Sequence, residues 1–253
     1  MPAADKRKLP APAGNTATGY LKLVAFVSML IDHVGLVFFS EVPELHILGR
    51  IAFPVYVWCV IVGFHYTRDV GRYLLRLFLL FAVSQPLYAL ALSGSLLKPN
   101  VCLTLCLGLG ALWGVREKKY GSAFWAPAAA ICLATLLHAD SGWKGILLFL
   151  LLYAVQDSRR GIAAVMIAFF LFVGSTQSPT ESLFGIPLQP DRLPAFLAKP
   201  LSAFLRNQVW ALLSLPFLLI LWPRQDVKMP KWLGYALYPG HLALIYLLRL
   251  LFL

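Results

Sequence analysis

Charge is what this chain has least of: only 13% of its 253 residues are Asp, Glu, Lys or Arg, and just 11 of those are acidic. That little charge lies far outside the range of a soluble globular protein, so a water-exposed enzyme or binding module of this length is excluded. Cysteine is also sparse. Cys59, Cys102, Cys106 and Cys132 all stand in apolar runs, where a thiol packs as a small hydrophobe. Cys102 and Cys106 share a helix face at i, i+4, but no second ligand pair flanks them, which argues against a zinc centre. No metal is expected, and no disulfide framework can be read from four such cysteines.

What the chain has in abundance is hydrophobic sequence, at 60% of residues and a mean hydropathy of +0.75. At about 20 residues per crossing, its length supplies eight to ten spans and no large soluble domain. The expected fold is all-α, a polytopic transmembrane helix bundle of about nine spans. Apolar runs bounded by Gly, Pro and charge give Leu21 to Phe39, Leu48 to Phe64, Tyr73 to Leu92, Val101 to Val115 and Ala123 to Leu137. Trp143 to Val155, Ile162 to Gly174, Ala203 to Trp222 and Trp232 to Leu253 follow. Trp143 to Val155 is short for a crossing, and a re-entrant hairpin is the alternative there.

Basic residues orient the bundle. With a cytoplasmic N-terminus, most of the 22 Lys and Arg fall in cytoplasmic segments, and the net charge of +11 is almost wholly that bias. Nucleic acid is not needed as a partner to explain it; the lipid bilayer is enough. Residues 1–19, rich in Ala, Pro and Thr, read as a disordered cytoplasmic tail ahead of an uncleaved first span. Residues 20–253 then form a single transmembrane domain, with an external Pro-rich loop at 175–202 holding one interfacial turn near Ala195 to Leu197.

Against this apolar background a few polar residues stand out. Asp32 and His33 are adjacent inside the first run, and ionisable groups at membrane depth cost about 2.5 to 3.5 kcal/mol each, so the pair points to chemistry or transport. Arg50, Asn100, Thr104, His138, Asp140 and His241 complete the set. Most would meet in the outer half of the bilayer, with His241 near the midplane. Neighbours on a helix point about 100° apart, so Asp32 and His33 must address different partners. Asp32 paired with Arg50 would leave His33 free to exchange protons; an ion pair that only sets helix registry is the alternative.

Six ordered blocks carry a resemblance: Met29 to Gly35 (MLIDHVG), Gly49 to Pro54 (GRIAFP), Tyr73 to Leu77 (YLLRL), Asn100 with Thr104 and Gly108, Asp140 with Gly142, and Tyr238 to Leu242 (YPGHL). The chain resembles the TraX family, named for the conjugative F-type pilin acetylase. Ser141, where the family usually has an aromatic, and Val62, where it often has an acid, are departures.

The resemblance implies a multi-pass protein of the bacterial inner membrane that moves an acetyl group from cytoplasmic acetyl-CoA to the N-terminal amine of a pilin or another exported acceptor. His33 is then the expected general base, with Asp32, Arg50 and His241 as its catalytic companions, because an imidazole suits deprotonation of an α-amine and Arg50 or Asn100 suits a developing oxyanion. Arg68, Arg72, Arg76, Arg116, Lys118 and Lys119 are the expected CoA-phosphate ligands, and Asn100, Thr104, Asp140 and Tyr238 the expected polar support. A proton-coupled transporter built on Asp32, His33, Arg50 and Asp140 is the competing class, although no inverted repeat with paired broken helices is visible. A noncatalytic pilus-assembly protein is the third. Acceptor identity and oligomeric state are open.

Overall fold

A computed structural model describes residues 11–175, 180, 182–184, 186–188, 194–220, 223, 225–228 and 230–252. Its helices are α1 Thr18–Phe38, α2 Pro43–Gly49, α3 Ala52–Tyr66, α4 Val70–Tyr88, α5 Val101–Glu117, α6 Ser122–Leu136, α7 Gly142–Ala154 and α8 Arg159–Gly174. A two-stranded hairpin, β1 Ser182–Leu183 with β2 Ile186–Pro187, precedes α9 Ala195–Phe204, α10 Leu215–Leu219 and α11 Lys231–Phe252.

Among the described residues four helical stretches are long and apolar enough to cross a membrane: Thr18–Phe38, Pro43–Tyr66, Val70–Ser93 and Trp232–Phe252. α5 to α8 are shorter, at 17, 15, 13 and 16 residues. Apolar all round, α3 is the central helix, buried almost continuously from Ala52 to Phe64. α1, α4 and α11 are amphipathic in the inverted sense of a membrane protein. Their outward faces carry exposed Leu23, Val27, Leu75, Phe78, Leu79, Val83, Leu244 and Leu247, side chains that lipid rather than water would cover.

Three expectations change here. Only residues 1–10 of the expected tail lie outside the described residues, and residues 11–17 are tied down. Asn15 is buried, its backbone N–H donates to Leu218 O at 2.7 Å, its side-chain amide donates to Phe217 O at 2.9 Å, and its carbonyl accepts from Trp58 Nε1 at 2.8 Å. An Asn and a Gly at this point allow the chain to lie flat on the Trp58 indole, since a Cβ on Gly14 would fall 2.5 Å from it. The expected helix from Ala203 to Trp222 is instead a 3₁₀ stretch, Asn207–Ser214, followed by the five-residue α10. Pro216 has no N–H for the Leu212 carbonyl, Leu215 N–H takes that carbonyl at one residue's shorter spacing, and the turn stays tight. In the Pro-rich segment the single expected turn is the ten-residue α9.

Helix breaks fall where the polar residues are. Pro54 cannot donate to the Arg50 carbonyl, and the chain answers with two i to i−3 bonds, Arg50 N to Ile47 O at 3.2 Å and Ile51 N to Leu48 O at 3.3 Å, which separate α2 from α3 at Arg50. In α4, Pro86 is followed by a π-helical turn, Ala89–Ser93, closed by Gly94 with φ of +64°. The α6–α7 turn puts Gly142 at φ of +52°, a conformation in which glycine avoids a Cβ clash.

Candidate functional site

Asp32 and His33 do address different neighbours. Asp32 turns to α2, where His46 Nδ1–H donates to its Oδ1 at 3.0 Å, so its partner is His46 and not the expected Arg50. Ser28, one turn earlier on the same face of α1, donates to the Leu48 carbonyl at 2.5 Å. Gly49 makes this approach possible, because a Cβ there would lie 2.3 Å from Asp32 Cβ and 2.7 Å from its Oδ1. This hydrogen bond sits on the α1–α2 contact, while Arg50 is at the break.

His33 turns to α11. Its Nδ1 lies 2.8 Å from His241 Nε2, with the two rings nearly parallel, centroids 5.1 Å apart. The two histidines therefore form one buried unit and do not act at separate depths. His241 Nδ1 in turn reaches the Leu237 carbonyl at 3.1 Å. A carbonyl can only accept, so His241 carries its hydrogen on Nδ1 and, when neutral, offers a lone pair at Nε2; His33 must then donate from Nδ1, leaving its own Nε2 bare. The outcome is an imidazole oriented by another imidazole, with its basic nitrogen free. Tyr238 and Phe26 pack edge-on against His241, at centroid distances of 5.4 and 5.6 Å.

His33 lines a cavity of about 720 Å³ at the end of the bundle where α1 finishes and α3 begins. Asp32, Arg50, Asp140 and Tyr238 line it too, so five of the expected site residues converge there. Arg50 Nε is buried without a hydrogen-bond partner among the described residues, a donor left unspent on a residue that lines the cavity. Asp140, in the turn between α6 and α7, lines this space. The protein crowding it raises its carboxyl above the ordinary range, Arg50 opposing and Asp32 adding to the shift. Lys144 and Arg249 line the same cavity and were not foreseen; Arg249 lies eight residues, or about two turns, beyond His241 on α11, which is the signal that would have found it.

Other expected site residues are elsewhere. Asn100 is fully buried and spent on structure: its Oδ1 accepts from Cys102 N at 2.9 Å as the N-cap of α5, its Nδ2 donates to Ser84 Oγ at 3.2 Å, and its N–H donates to Gln85 Oε1 at 2.9 Å. Neither it nor Thr104, buried with its methyl against Gly145, lines the cavity.

A second cavity of about 440 Å³ opens at the opposite end of the bundle. Of the six basic residues expected to hold CoA phosphates, only Arg76 lines it. Arg72 pairs with Asp69 at 2.9 Å, Arg116 stacks 4.2 Å over the Phe64 ring, and Lys119 approaches Glu117 at 3.9 Å. Arg68 and Lys118, the latter a helix C-cap at φ of +54°, lie outside the cavity. Lys22 and Lys228 take the places beside Arg76.

The fold and site define a helical membrane protein with a buried histidine pair beside a polar cavity. A profile of the TraX family, described as "TraX protein", matches residues 17–249, and the chain belongs to that family. It is 32% identical over 89 residues to an uncharacterized protein of Rickettsia prowazekii (strain Madrid E), covering 35% of this chain and 33% of that one. It is also 30% identical over 106 residues to the "Probable fimbrial assembly protein FimC, serogroup H1" of Dichelobacter nodosus, covering 36% of this chain and 43% of that protein. Each match thus spans less than half of the relative. No solved structure matches the chain.

Proposed function

We propose that this protein is an acetyltransferase of the bacterial inner membrane that moves an acetyl group from cytoplasmic acetyl-CoA, its donor substrate, to the N-terminal amine of a pilin or another exported protein. Family membership and the fimbrial relative support a pilus-related membrane role. The observation that carries the chemistry is the His33–His241 pair, at 2.8 Å, with His33 on a polar cavity.

In this reading the bundle has about nine crossings with the N-terminus inside, and the His33 cavity is on the outer side. The acceptor amine enters there, and its nitrogen bonds to the thioester carbonyl carbon while His33 Nε2 takes a proton from it. The carbonyl oxygen becomes an oxyanion, and the unspent Arg50 donor stabilises it. The C–S bond then breaks, its electron pair leaves on the CoA sulfur, and the imidazolium returns the proton to that thiolate. His241 Nε2 stabilises the charged ring by accepting from its Nδ1–H. Asp32 holds α1 to α2 through His46 and keeps the helix that bears His33 in register.

The presence of one cavity at each end of the bundle favours a second reading, a proton-coupled transporter, in which Asp32, His33, Arg50 and Asp140 would carry protons. Reconstituted protein separates the two: the transferase converts acetyl-CoA and an α-amine peptide to acetylated peptide and CoA, whereas a transporter moves a solute with no change in peptide mass.

A further inference from the structure

The two cavities are not independent. Tyr56 of α3, Val101 at the start of α5 and Tyr238 of α11 line both of them and pack with Cys102 in a single apolar cluster. These side chains are therefore a wall shared by the two cavities. On one side of it Tyr238 lies edge-on to His241, 5.4 Å between centroids, and so abuts the histidine pair. On the other, the cavity is lined by apolar groups, including Cys59, Leu105 and Leu77, and its mouth carries Lys22, Arg76 and Lys228.

The mouth has a built closure. Asp226 accepts from the Gly19 and Tyr20 N–H groups at 3.1 and 2.9 Å, clasping the segment before α11 onto the start of α1. Gly19 is required by that clasp, as a Cβ there would fall 2.0 Å from Val227 O. With both Asp226 oxygens taken up by those amides, the three cations outnumber the one carboxylate at the mouth of a mostly apolar cavity. A polyanionic head on a long, uncharged, thin arm is the ligand such a shape fits.

We propose that Lys22, Arg76 and Lys228 hold the phosphates of a nucleotide thioester, and that its arm reaches His33 by displacing the Tyr56–Val101–Tyr238 partition. This rests on the acetyltransferase reading and adds to it the donor's entrance and gate. Lys22 and Lys228, from opposite ends of the sequence, replace the clustered arginines as the phosphate ligands.

The test compares two donors, acetyl-CoA and S-acetylpantetheine, which has the arm and thioester without the phosphates, on purified full-length protein. Removing three phosphate contacts (Lys22→Glu, Arg76→Glu, Lys228→Glu together) should weaken equilibrium binding of labelled CoA by about tenfold or more and leave transfer from S-acetylpantetheine within about twofold of wild type. Val101→Trp or the smaller Val101→Phe, which thicken the partition, should bind CoA as wild type does yet transfer from neither donor. Retained CoA binding certifies their fold; should both bulky variants fail to fold, the charge variants decide. Unchanged CoA binding in the triple variant, or wild-type transfer through a thickened partition, overturns the proposal. A wild-type protein that binds CoA but acetylates nothing would instead sink the transferase reading while leaving the phosphate mouth standing.

Discussion

His33 and His241, 208 residues apart in sequence, share one hydrogen bond of 2.8 Å between α1 and α11. The Leu237 carbonyl behind His241 sets the direction of that bond, so the nitrogen of the pair that keeps its lone pair is Nε2 of His33, a residue that lines the cavity. A buried pair that could donate both ways would have no such polarity.

Replacing His33 by Ala should lower acetyl transfer by about 10² to 10⁴, the usual worth of a general base. His241→Phe keeps the ring packing against Tyr238 but removes the acceptor, and an intermediate loss of about tenfold to a hundredfold is expected. Wild-type kcat/KM should fall on the acid side as the base is protonated, and the residual rate of His33→Ala should lack that acid limb. Equal losses in both variants with an unchanged pH profile would mean the pair is structural.

Asp32 and His46 should be coupled. Asp32→Asn or His46→Gln alone leaves one partly buried polar partner unmatched and should cost about 1 to 3 kcal/mol in detergent melting experiments. The double variant should be less destabilised than the sum of the two. Strict additivity would show that the contact carries no energy. Neutralising Arg50, which this arrangement leaves out of the pair, should spare stability and reduce transfer.

Gly49→Ala should be among the most damaging single-methyl changes in the molecule, since the added carbon would overlap Asp32 Cβ at 2.3 Å. Overpacking of this kind costs about 1 to 3 kcal/mol, and here it also displaces the Asp32–His46 pair. Gly240→Ala, with open space at its Cβ position, is the control and should express normally. The readout is folded yield and melting temperature of the two variants side by side.

Reporter fusions test the orientation. Fusions after Trp113 and Pro223 should report the cytoplasm, and fusions after Ser93 and at the C-terminus the exterior. A cytoplasmic C-terminus would contradict the nine-crossing arrangement and turn the His33 cavity's last helix around.

How much of this could be read in advance depended on contrast. Asp32, His33, Arg50 and His241 were legible because each is a polar residue in an apolar run, where it cannot hide. His46 was not, for the opposite reason: it lies in the PELH stretch between two such runs, where a polar residue raises no question. The partnerships were also out of reach. Whether Asp32 meets Arg50 or His46 depends on where Pro54 breaks the helix, and whether His33 meets His241 depends on how α11 packs on α1; neither is a local property of the sequence. The same holds for Lys22, Arg76 and Lys228, which only the packing of α1, α4 and the segment before α11 brings to one cavity, while the clustered Arg68, Arg72, Lys118 and Lys119 do not line it. The helix pattern itself was largely readable from apolar runs and their Gly and Pro boundaries, and it failed mainly after Phe204, where Pro216 and a run of i to i−3 bonds replace a regular helix.

The most direct test of the account is acetyl transfer across a sealed bilayer. Full-length protein is reconstituted in vesicles, labelled acetyl-CoA is supplied on the side bearing Lys22, Arg76 and Lys228, and a peptide with a free α-amine is enclosed on the other. Wild-type protein should acetylate the enclosed peptide, detected by intact mass, and His33→Ala should not. Acetylation at the same rate by His33→Ala, or none by a wild-type protein that is folded and correctly oriented, would contradict it.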